Sequence, residues 1–226
     1  MYYPFFDSSM IILIPAIILA MYAQSKVKST YEKYVKVKST KGYTGEETAR
    51  AILDKNGLSD VRIEHINGTL TDHYDPRTRV LRLSDLVYRG NSIASSAIAA
   101  HEVGHAIQHA SDYVPLKIRN AIVPVVNFSS RFVFVLIVAG AVLSIPSLIS
   151  FGVLAFMGIV IFQLVTLPVE FDASGRAIKN LKNGIISVDE EAAVKKVLGA
   201  AAMTYVTSAL VAIAQLVRLM GLNRRN

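Results

Sequence analysis

Uncharged segments long enough to cross a membrane alternate with polar segments along this chain. The first uncharged segment runs from Met10 to Ala23, with aromatic residues before it and lysines after it. Such flanks are typical of a transmembrane anchor whose N-terminus lies outside and whose lysines lie in the cytoplasm. A secretory signal peptide would need basic residues before its apolar core, and the first lysine is Lys26. We therefore predict a transmembrane anchor over residues 1–25.

A second uncharged segment, residues 132–169, is too long for a single crossing. As one helix it would extend about 57 Å, against a hydrocarbon core about 30 Å thick. Pro146, within Ser144–Ser147, supplies a break near its middle. The segment predicts a helical hairpin, and a hairpin returns Glu170 to the membrane face that the chain left.

A third uncharged segment, from Gly199 to Val217, is long enough to span and is rich in small residues. If it crosses, the three arginines that follow it lie outside, against the usual charge bias. A helix that lies in the interface, or packs on the polar region, is the alternative. The sequence therefore predicts about three or four transmembrane helices.

The polar region before the hairpin has the pattern of a small α+β domain. Residues 44–47 have capping-box spacing and begin a helix that Gly57 ends. Residues 61–66 and 80–83 alternate as strands do, and turn residues lie between them at 75–78. We predict a short antiparallel sheet that leads into a long helix.

Composition and charge restrict the class of protein further. With 52% hydrophobic and 18% charged residues, the chain is too apolar for a soluble domain and too charged for a pure membrane bundle. It has no cysteine, which excludes disulfides, thiolate zinc ligands and cysteine nucleophiles. The net charge of +7 comes largely from lysines beside the first apolar segment, without aromatic interleaving. The expected partner is therefore the lipid bilayer and not a nucleic acid.

The strongest chemical signal is the run His101-Glu102-Val103-Gly104-His105. Two imidazoles four residues apart lie on one face of a helix and can share one zinc ion. Glu102 then lies where it can take a proton from a zinc-bound water. The alternative is a helix that buries both histidines against other polar partners.

A catalytic zinc usually has three protein ligands. His109 lies about 12 Å along the helix axis from His101, too far for both to bind one ion. Glu170 follows a membrane segment directly, where a carboxylate is unfavourable unless it is paired or bound to a metal. We predict that Glu170 is the third ligand, with Asp172 as the alternative ligand. The alternative role for Glu170 is that of an ordinary acid at a helix end.

Other polar residues are candidates for supporting roles. His73, Tyr74 and Arg176 are candidates to stabilise the oxyanion, and His109 is a candidate for support of the ligands or for the membrane interface. His65 and His73 lie on the predicted strand pair, either as surface residues or facing the cleft. The strand edge at residues 71–74 either holds an extended peptide or is a plain hairpin.

Four blocks of the sequence are informative together: Gly42–Gly45, Leu70–Pro76, Ala100–Ala106 and Pro168–Ser174. They resemble the bacterial neutral zinc metallopeptidase family of membrane proteins, and the resemblance covers nearly the whole chain. It implies a zinc endopeptidase of the gluzincin type with one Zn²⁺ per chain.

More distantly, the plan resembles the membrane heat-shock proteases and the CAAX-prenyl proteases. In those proteins the third ligand is a Glu after the membrane segments, and an Asp follows four residues later. The Glu falls on Glu170, but the Asp position is Ser174. Asp172 and Asp112 are the candidates to replace that carboxylate.

We predict a mainly α membrane protein with a small α+β zincin-like domain that acts as a membrane-embedded, zinc-dependent endopeptidase. The site is expected to face the cytoplasm at the bacterial cytoplasmic membrane, with peptides or proteins, including membrane proteins, as substrates. The alternatives are a zinc hydrolase of non-peptide amides and a metal-stabilised scaffold or chaperone; few ionisable residues in the spans disfavour a zinc transporter. The predicted regions are an anchor (1–25), a zincin-like region (26–115), a transmembrane hairpin (116–169), a third-ligand helix and loop (170–198) and a C-terminal membrane helix (199–226).

Overall fold

The structure, a computed structural model, describes residues 8–223 of the chain. The aromatic residues expected before the first apolar segment, at positions 2–6, lie outside the described residues. Two 3-10 helices, Ser8–Ile12 and Val188–Glu190, accompany the main elements. The main elements are α1 (Leu13–Tyr34), α2 (Gly45–Lys55), β1 (Arg62–Ile66), β2 (His73–Asp75), β3 (Val80–Ser84), α3 (Asp85–Tyr88), α4 (Ile93–Ala110), α5 (Val114–Val142), α6 (Pro146–Leu181) and α7 (Glu191–Asn223).

Within the described residues, four helices are long and apolar enough to cross a membrane. This confirms a mainly helical protein with candidate membrane-spanning helices, and the C-terminal helix is one of these four candidates. Large apolar side chains on these helices are exposed, such as Phe134, which is 72% exposed. Side chains of this kind fit a lipid environment better than water. The candidate spans are Met10–Tyr34, Val114–Val142, Pro146–Leu181 and Val188–Gly221.

The chain forms two compact units, the first of which comprises Met1–Gln24, Ile118–Leu167 and Thr204–Asn226. In this unit the predicted break between α5 and α6 is confirmed. Ser144 adopts φ 55°, and the Ile145 N–H donates to the Gly140 carbonyl at 2.8 Å, as at a left-handed helix end. Pro146 then occupies the first position of α6, where its missing N–H leaves no bond unmade.

The second unit comprises Ser25–Lys117 and Pro168–Met203. Its core packs α2 and α4 around apolar residues such as Ile52, Leu81 and Val103, all of which are buried. The predicted capping box of α2 is confirmed: Thr44 Oγ1 accepts from the Glu47 N–H at 3.1 Å, and Glu47 accepts from the Thr44 N–H at 2.8 Å. Gly57, with φ 72°, follows the end of this helix as expected.

The sheet of this unit corrects the sequence-based prediction. It has three strands in the order β1-β3-β2, and β1 pairs with β3 in parallel, from Arg62 opposite Val80 to Ile66 opposite Ser84. The predicted antiparallel pairing of residues 61–66 with 80–83 is therefore wrong. The predicted turn joins β3 instead to β2, a three-residue antiparallel partner. The chain passes through β2 between the two longer strands, and this allows them to run in the same direction.

Candidate metal centre

Helix α4 carries the metal-binding motif through the core of the second unit. Its first turn is capped by Ser92, whose Oγ accepts from the Ser95 N–H at 3.0 Å. Most of the residues that follow are small or apolar and buried, which holds the helix rigidly in place. The rings of His101 and His105 lie on one face, 4.8 Å apart between centroids and nearly perpendicular. One helix thus positions both imidazoles and Glu102.

Close approach of α6 to α4 brings Glu170 to the two imidazoles. A Cβ on Gly104 would lie only 2.5 Å from the carbonyl oxygen of Ala173, so a larger residue between the histidines would separate the helices. His101 Nε2 lies 3.2 Å and His105 Nε2 lies 3.6 Å from Glu170 Oε2. The Glu170 residue is 3% exposed. The structure therefore brings together the three residues predicted as metal ligands.

The spacing of these three groups fits a zinc ion. Their ligand atoms all lie within 4.8 Å of one another, and no other such cluster of histidines and carboxylates occurs among the described residues. Two ligand atoms bound to a tetrahedral zinc at about 2.1 Å lie about 3.4 Å apart. The observed separations of 3.2 and 3.6 Å match this value. Two histidines and one glutamate are also a common donor set of catalytic zinc.

The electrostatics of the site favour a cation. Burial of the His105 ring opposes its protonation, but hydrogen bonding to Glu170 and the charge of Glu102 outweigh burial and raise the pKa of His105. Positive charge is therefore stabilised between the two carboxylates.

Both imidazoles are oriented through their other ring nitrogen. Ser174 Oγ lies 3.2 Å from His101 Nδ1, and Gln108 Oε1 lies 3.0 Å from His105 Nδ1. Gln108 Nε2 donates to a backbone carbonyl, so its Oε1 is free to accept from the His105 Nδ1–H. Both Nε2 atoms are turned towards Glu170. With Nδ1–H of His105 donating to Gln108, the lone pair of its Nε2 is available to a metal ion that takes the place of a proton there. A partner on the opposite nitrogen is typical of metal-binding histidines.

Gln108 connects His105 to the charged residues of α6. This glutamine is 0% exposed, and its Nε2 donates to the Val169 carbonyl at 2.7 Å and to Asp172 at 2.8 Å. Arg176 Nε donates in turn to the same Asp172 oxygen at 2.6 Å. Asp172 thus supports the site through Gln108 and contacts neither imidazole among the described residues. Arg176 thus holds Asp172, and its guanidinium lies over the ring of Tyr113, with Cζ 5.6 Å from the ring centroid.

Sequence reasoning missed Gln108 and the role of Ser174. The available signal for Gln108 was its position three residues after His105, on the same helix face. For Ser174 the signal was its position four residues after Glu170, one helical turn further along the same face. Asp112, the other candidate for that role, is exposed and pairs instead with Lys117 at 2.7 Å.

Glu102 lies beside the edge of the sheet. Its Oε2 accepts from the backbone N–H of Tyr74 on β2 at 3.1 Å, and its Oε1 has no hydrogen-bond partner among the described residues. The Tyr74 hydroxyl lies 3.0 Å from His109 Nδ1. His109 itself is not part of the cluster of His101, His105 and Glu170, called the metal cluster below. This agrees with its distance of about 12 Å from His101 along the helix axis. The structure therefore places the Tyr74 backbone at the carboxylate of the motif and the Tyr74 hydroxyl at His109.

The remaining histidines make local contacts. His73 Nδ1 lies 2.9 Å from the carbonyl oxygen of Thr71, and His65 pairs with Asp85 at the surface. Neither joins the metal cluster.

Asp72 was not singled out by the sequence, although it secures the entry to β2. It accepts from the Ser84 N–H at 2.7 Å and from the Ser84 hydroxyl at 3.0 Å. Burial, opposed by these hydrogen bonds, raises the pKa of Asp72, and the charge of Glu102 adds to the increase. Asp72 thereby ties the loop before β2 to the end of β3.

Comparisons with known proteins agree with this chemistry. Residues 9–224 match the model of a family described as "Putative neutral zinc metallopeptidase". The chain is 52% identical over 206 residues to the "Putative membrane protease YugP" of Bacillus subtilis, which covers 91% of this chain and 92% of that protein. No solved structure matches the chain.

Proposed function

The chain belongs to the neutral zinc metallopeptidase family, and we propose that it is a membrane-embedded endopeptidase of the gluzincin type that uses one zinc ion per chain. The observation that carries this proposal is the convergence of His101 Nε2, His105 Nε2 and Glu170 Oε2, next to a carboxylate that is not part of the cluster. Three ligands and one adjacent base are what a zinc hydrolase requires.

The protein residues can be assigned roles in peptide hydrolysis. When bound by His101, His105 and Glu170, a zinc ion would supply a Lewis acid and would lower the pKa of a water molecule to about 7. Glu102 would act as the general base: its unpartnered Oε1 would accept a proton from the attacking water and pass it to the leaving amine. The contact with the Tyr74 N–H holds the other oxygen, which fixes the direction of Glu102 without neutralising it.

The oxyanion needs a hydrogen-bond donor in addition to the metal. Among the candidates, Arg176 is engaged by Asp172 and His73 by the Thr71 carbonyl. The Tyr74 hydroxyl is oriented by His109, and burial raises its pKa, so that it remains a protonated donor. We assign Tyr74 to this role, with His109 as its positioning residue.

The free edge of β2 offers a place for an extended substrate. Within residues 8–223, β2 pairs with β3 and with no other strand, and Tyr74 directs its backbone N–H away from that partner towards Glu102. A peptide added at this edge would lie along the motif helix with its scissile bond beside Glu102. The expected substrates are peptides or proteins, including membrane proteins. The lysines after the first apolar segment support a site on the cytoplasmic side of the bacterial cytoplasmic membrane.

Digestion of a peptide library tests this function. The purified full-length protein, in detergent or lipid, is expected to cleave internal peptide bonds, to lose cleavage on treatment with a zinc chelator, and to recover it when zinc is restored. Mass spectrometry of the products provides the measurement. If every library peptide remained intact while non-peptide amides were hydrolysed, the alternative of a zinc hydrolase that acts on non-peptide amides would be favoured.

Gln108 provides a separate test of the metal assignment. Replacement with methionine keeps the side-chain volume but removes the hydrogen bond to His105, so we expect zinc affinity to fall about 10- to 100-fold. Competition with a chelating dye measures this affinity without reference to activity. Asp112→Asn, at an exposed ion pair just beyond the same helix, is the matched control and is expected to bind zinc as the wild type does. Equal affinities in all three proteins would contradict the role of Gln108.

A further inference from the structure

A basic cleft lies in the second unit between the end of α1 and the beginning of α7, and the proposed peptidase mechanism does not use it. Its volume is about 510 Å³. It carries three lysines, Lys26, Lys33 and Lys196, and no acidic residue lines it. The lining residues are Lys26, Ser29, Thr30, Lys33, Tyr34, Lys196, Gly199, Ala200 and Met203.

The lysines of the cleft differ from their neighbours on the same two helices. Lys28 pairs with Glu32 on α1, and Lys195 pairs with Glu191 on α7. The three cleft lysines, in contrast, have no carboxylate within 4.0 Å among the described residues, although Lys33 lies 5.3 Å from the centre of the Tyr34 ring. Their positive charge therefore remains uncompensated inside one concave surface, where it is available to an anion.

Other lining residues of the cleft also suit a ligand with several acceptor oxygens. Thr30 and Tyr34 are buried, and their hydroxyls make no hydrogen bond within the described part of the chain. On the facing helix, Gly199 and Ala200 are small and leave space between the lysines. Ammonium and hydroxyl donors together, without a competing carboxylate, are typical of phosphate recognition.

The cleft also lies where each of the two helices leaves an apolar segment. Lys26 follows Ala23 by three residues, and the uncharged segment of α7 begins at Val197, directly after Lys196. Both helices are long and apolar enough to cross a membrane. Positive side chains at such a boundary lie at the depth of lipid headgroups.

We propose that this cleft binds the phosphate-bearing headgroup of an anionic membrane lipid. The headgroup phosphate is held by the three lysines and the Thr30 and Tyr34 hydroxyls, and the acyl chains follow the apolar surfaces of the two helices. This binding is independent of zinc and of the proposed peptidase activity.

Native mass spectrometry of the full-length protein in detergent tests the proposal. With phosphatidylglycerol as the probe, the wild type is expected to retain one lipid about tenfold more strongly than the Lys26→Gln, Lys33→Gln, Lys196→Gln triple variant. Phosphatidylcholine, whose headgroup carries a compensating cation, is expected to bind the wild type at least about tenfold more weakly than phosphatidylglycerol does.

A matched control separates the cleft from general surface charge. The control variant removes the same number of positive charges from exposed positions outside the cleft, and it is expected to retain the lipid. It carries the substitutions Lys36→Gln, Lys38→Gln and Lys179→Gln. Gly199→Leu keeps the net charge and partly fills the cleft, where a Cβ at this glycine meets no atom within 4 Å, and it is expected to lose the lipid. Unchanged zinc content serves as the measure of folding in each variant.

Three results would overturn the proposal. Equal loss of lipid in both triple variants would assign binding to overall charge. Full retention in the cleft triple variant, or in Gly199→Leu, would place the lipid elsewhere. Displacement of phosphatidylglycerol by millimolar inorganic phosphate, with the phosphate retained in its place, would identify a soluble phosphate as the ligand.

Discussion

Replacement of Glu102 with glutamine is expected to lower kcat/KM for peptide cleavage by about 10²- to 10⁴-fold, the usual contribution of general base catalysis. Glutamine has the same shape and still offers an oxygen to the Tyr74 N–H, but it cannot accept the proton of a zinc-bound water. Because Glu102 is not part of the ligand cluster, zinc should remain bound. Cleavage kinetics and metal analysis of the same preparation measure the two properties separately.

The comparison with Glu32→Gln completes this test. Glu32 is exposed on α1 and, among the described residues, pairs with Lys28 alone. Its replacement also removes one negative charge and should leave both zinc content and cleavage unchanged. Full peptidase activity in Glu102→Gln would refute the proposed mechanism. Retained function in cells, in the absence of cleavage by the variant, would instead support a non-catalytic scaffold.

The metal cluster could be predicted from the sequence because its parts are local or constrained by the membrane. The spacing of His101 and His105 is fixed by the helix period, so the pair can be identified without knowledge of the fold. Glu170 could be predicted because an uncharged segment with a break in its middle must return the chain to the same face. The structure brings this carboxylate within 3.2 Å of His101 Nε2.

The partners that orient the imidazoles could not be predicted in the same way. Gln108 and Ser174 meet the histidines only because α4 and α6 approach closely at Gly104, and such packing between distant segments leaves no periodic pattern in the sequence. The sheet was mispredicted for a related reason. β2 has only three residues, His73–Asp75, which are too few and too polar to show the alternation expected of a strand.

Helix α6 carries the carboxylate of the cluster together with the residues that connect to both imidazoles. Residues 146–181 form one continuous helix through Pro168, so Glu170 belongs to the same element as the uncharged segment before it. Ser174 lies one turn beyond Glu170 and contacts His101, while Asp172 reaches Gln108 from between them. A short stretch of α6 after Pro168 therefore carries the carboxylate of the cluster and both connections to the imidazoles.

Replacement of Glu170 with alanine is therefore expected to have the largest effect on zinc binding. The variant keeps both imidazoles but loses the only carboxylate of the cluster, so zinc affinity should fall by more than about 100-fold, beyond the effect of losing an orienting partner. Metal analysis of the purified protein after dialysis against a weak chelator measures the occupancy.

Glu190 provides the matched control, because it is the other buried glutamate among the described residues. It accepts from the Thr40 N–H at 2.7 Å and from the Ser187 N–H at 2.8 Å, away from the metal cluster. Glu190→Ala should therefore destabilise the fold while leaving zinc affinity near that of the wild type, whereas Glu170→Ala should show the opposite. Undiminished zinc occupancy in Glu170→Ala would mean that the buried acid only pairs with the histidines and that another residue completes the metal site.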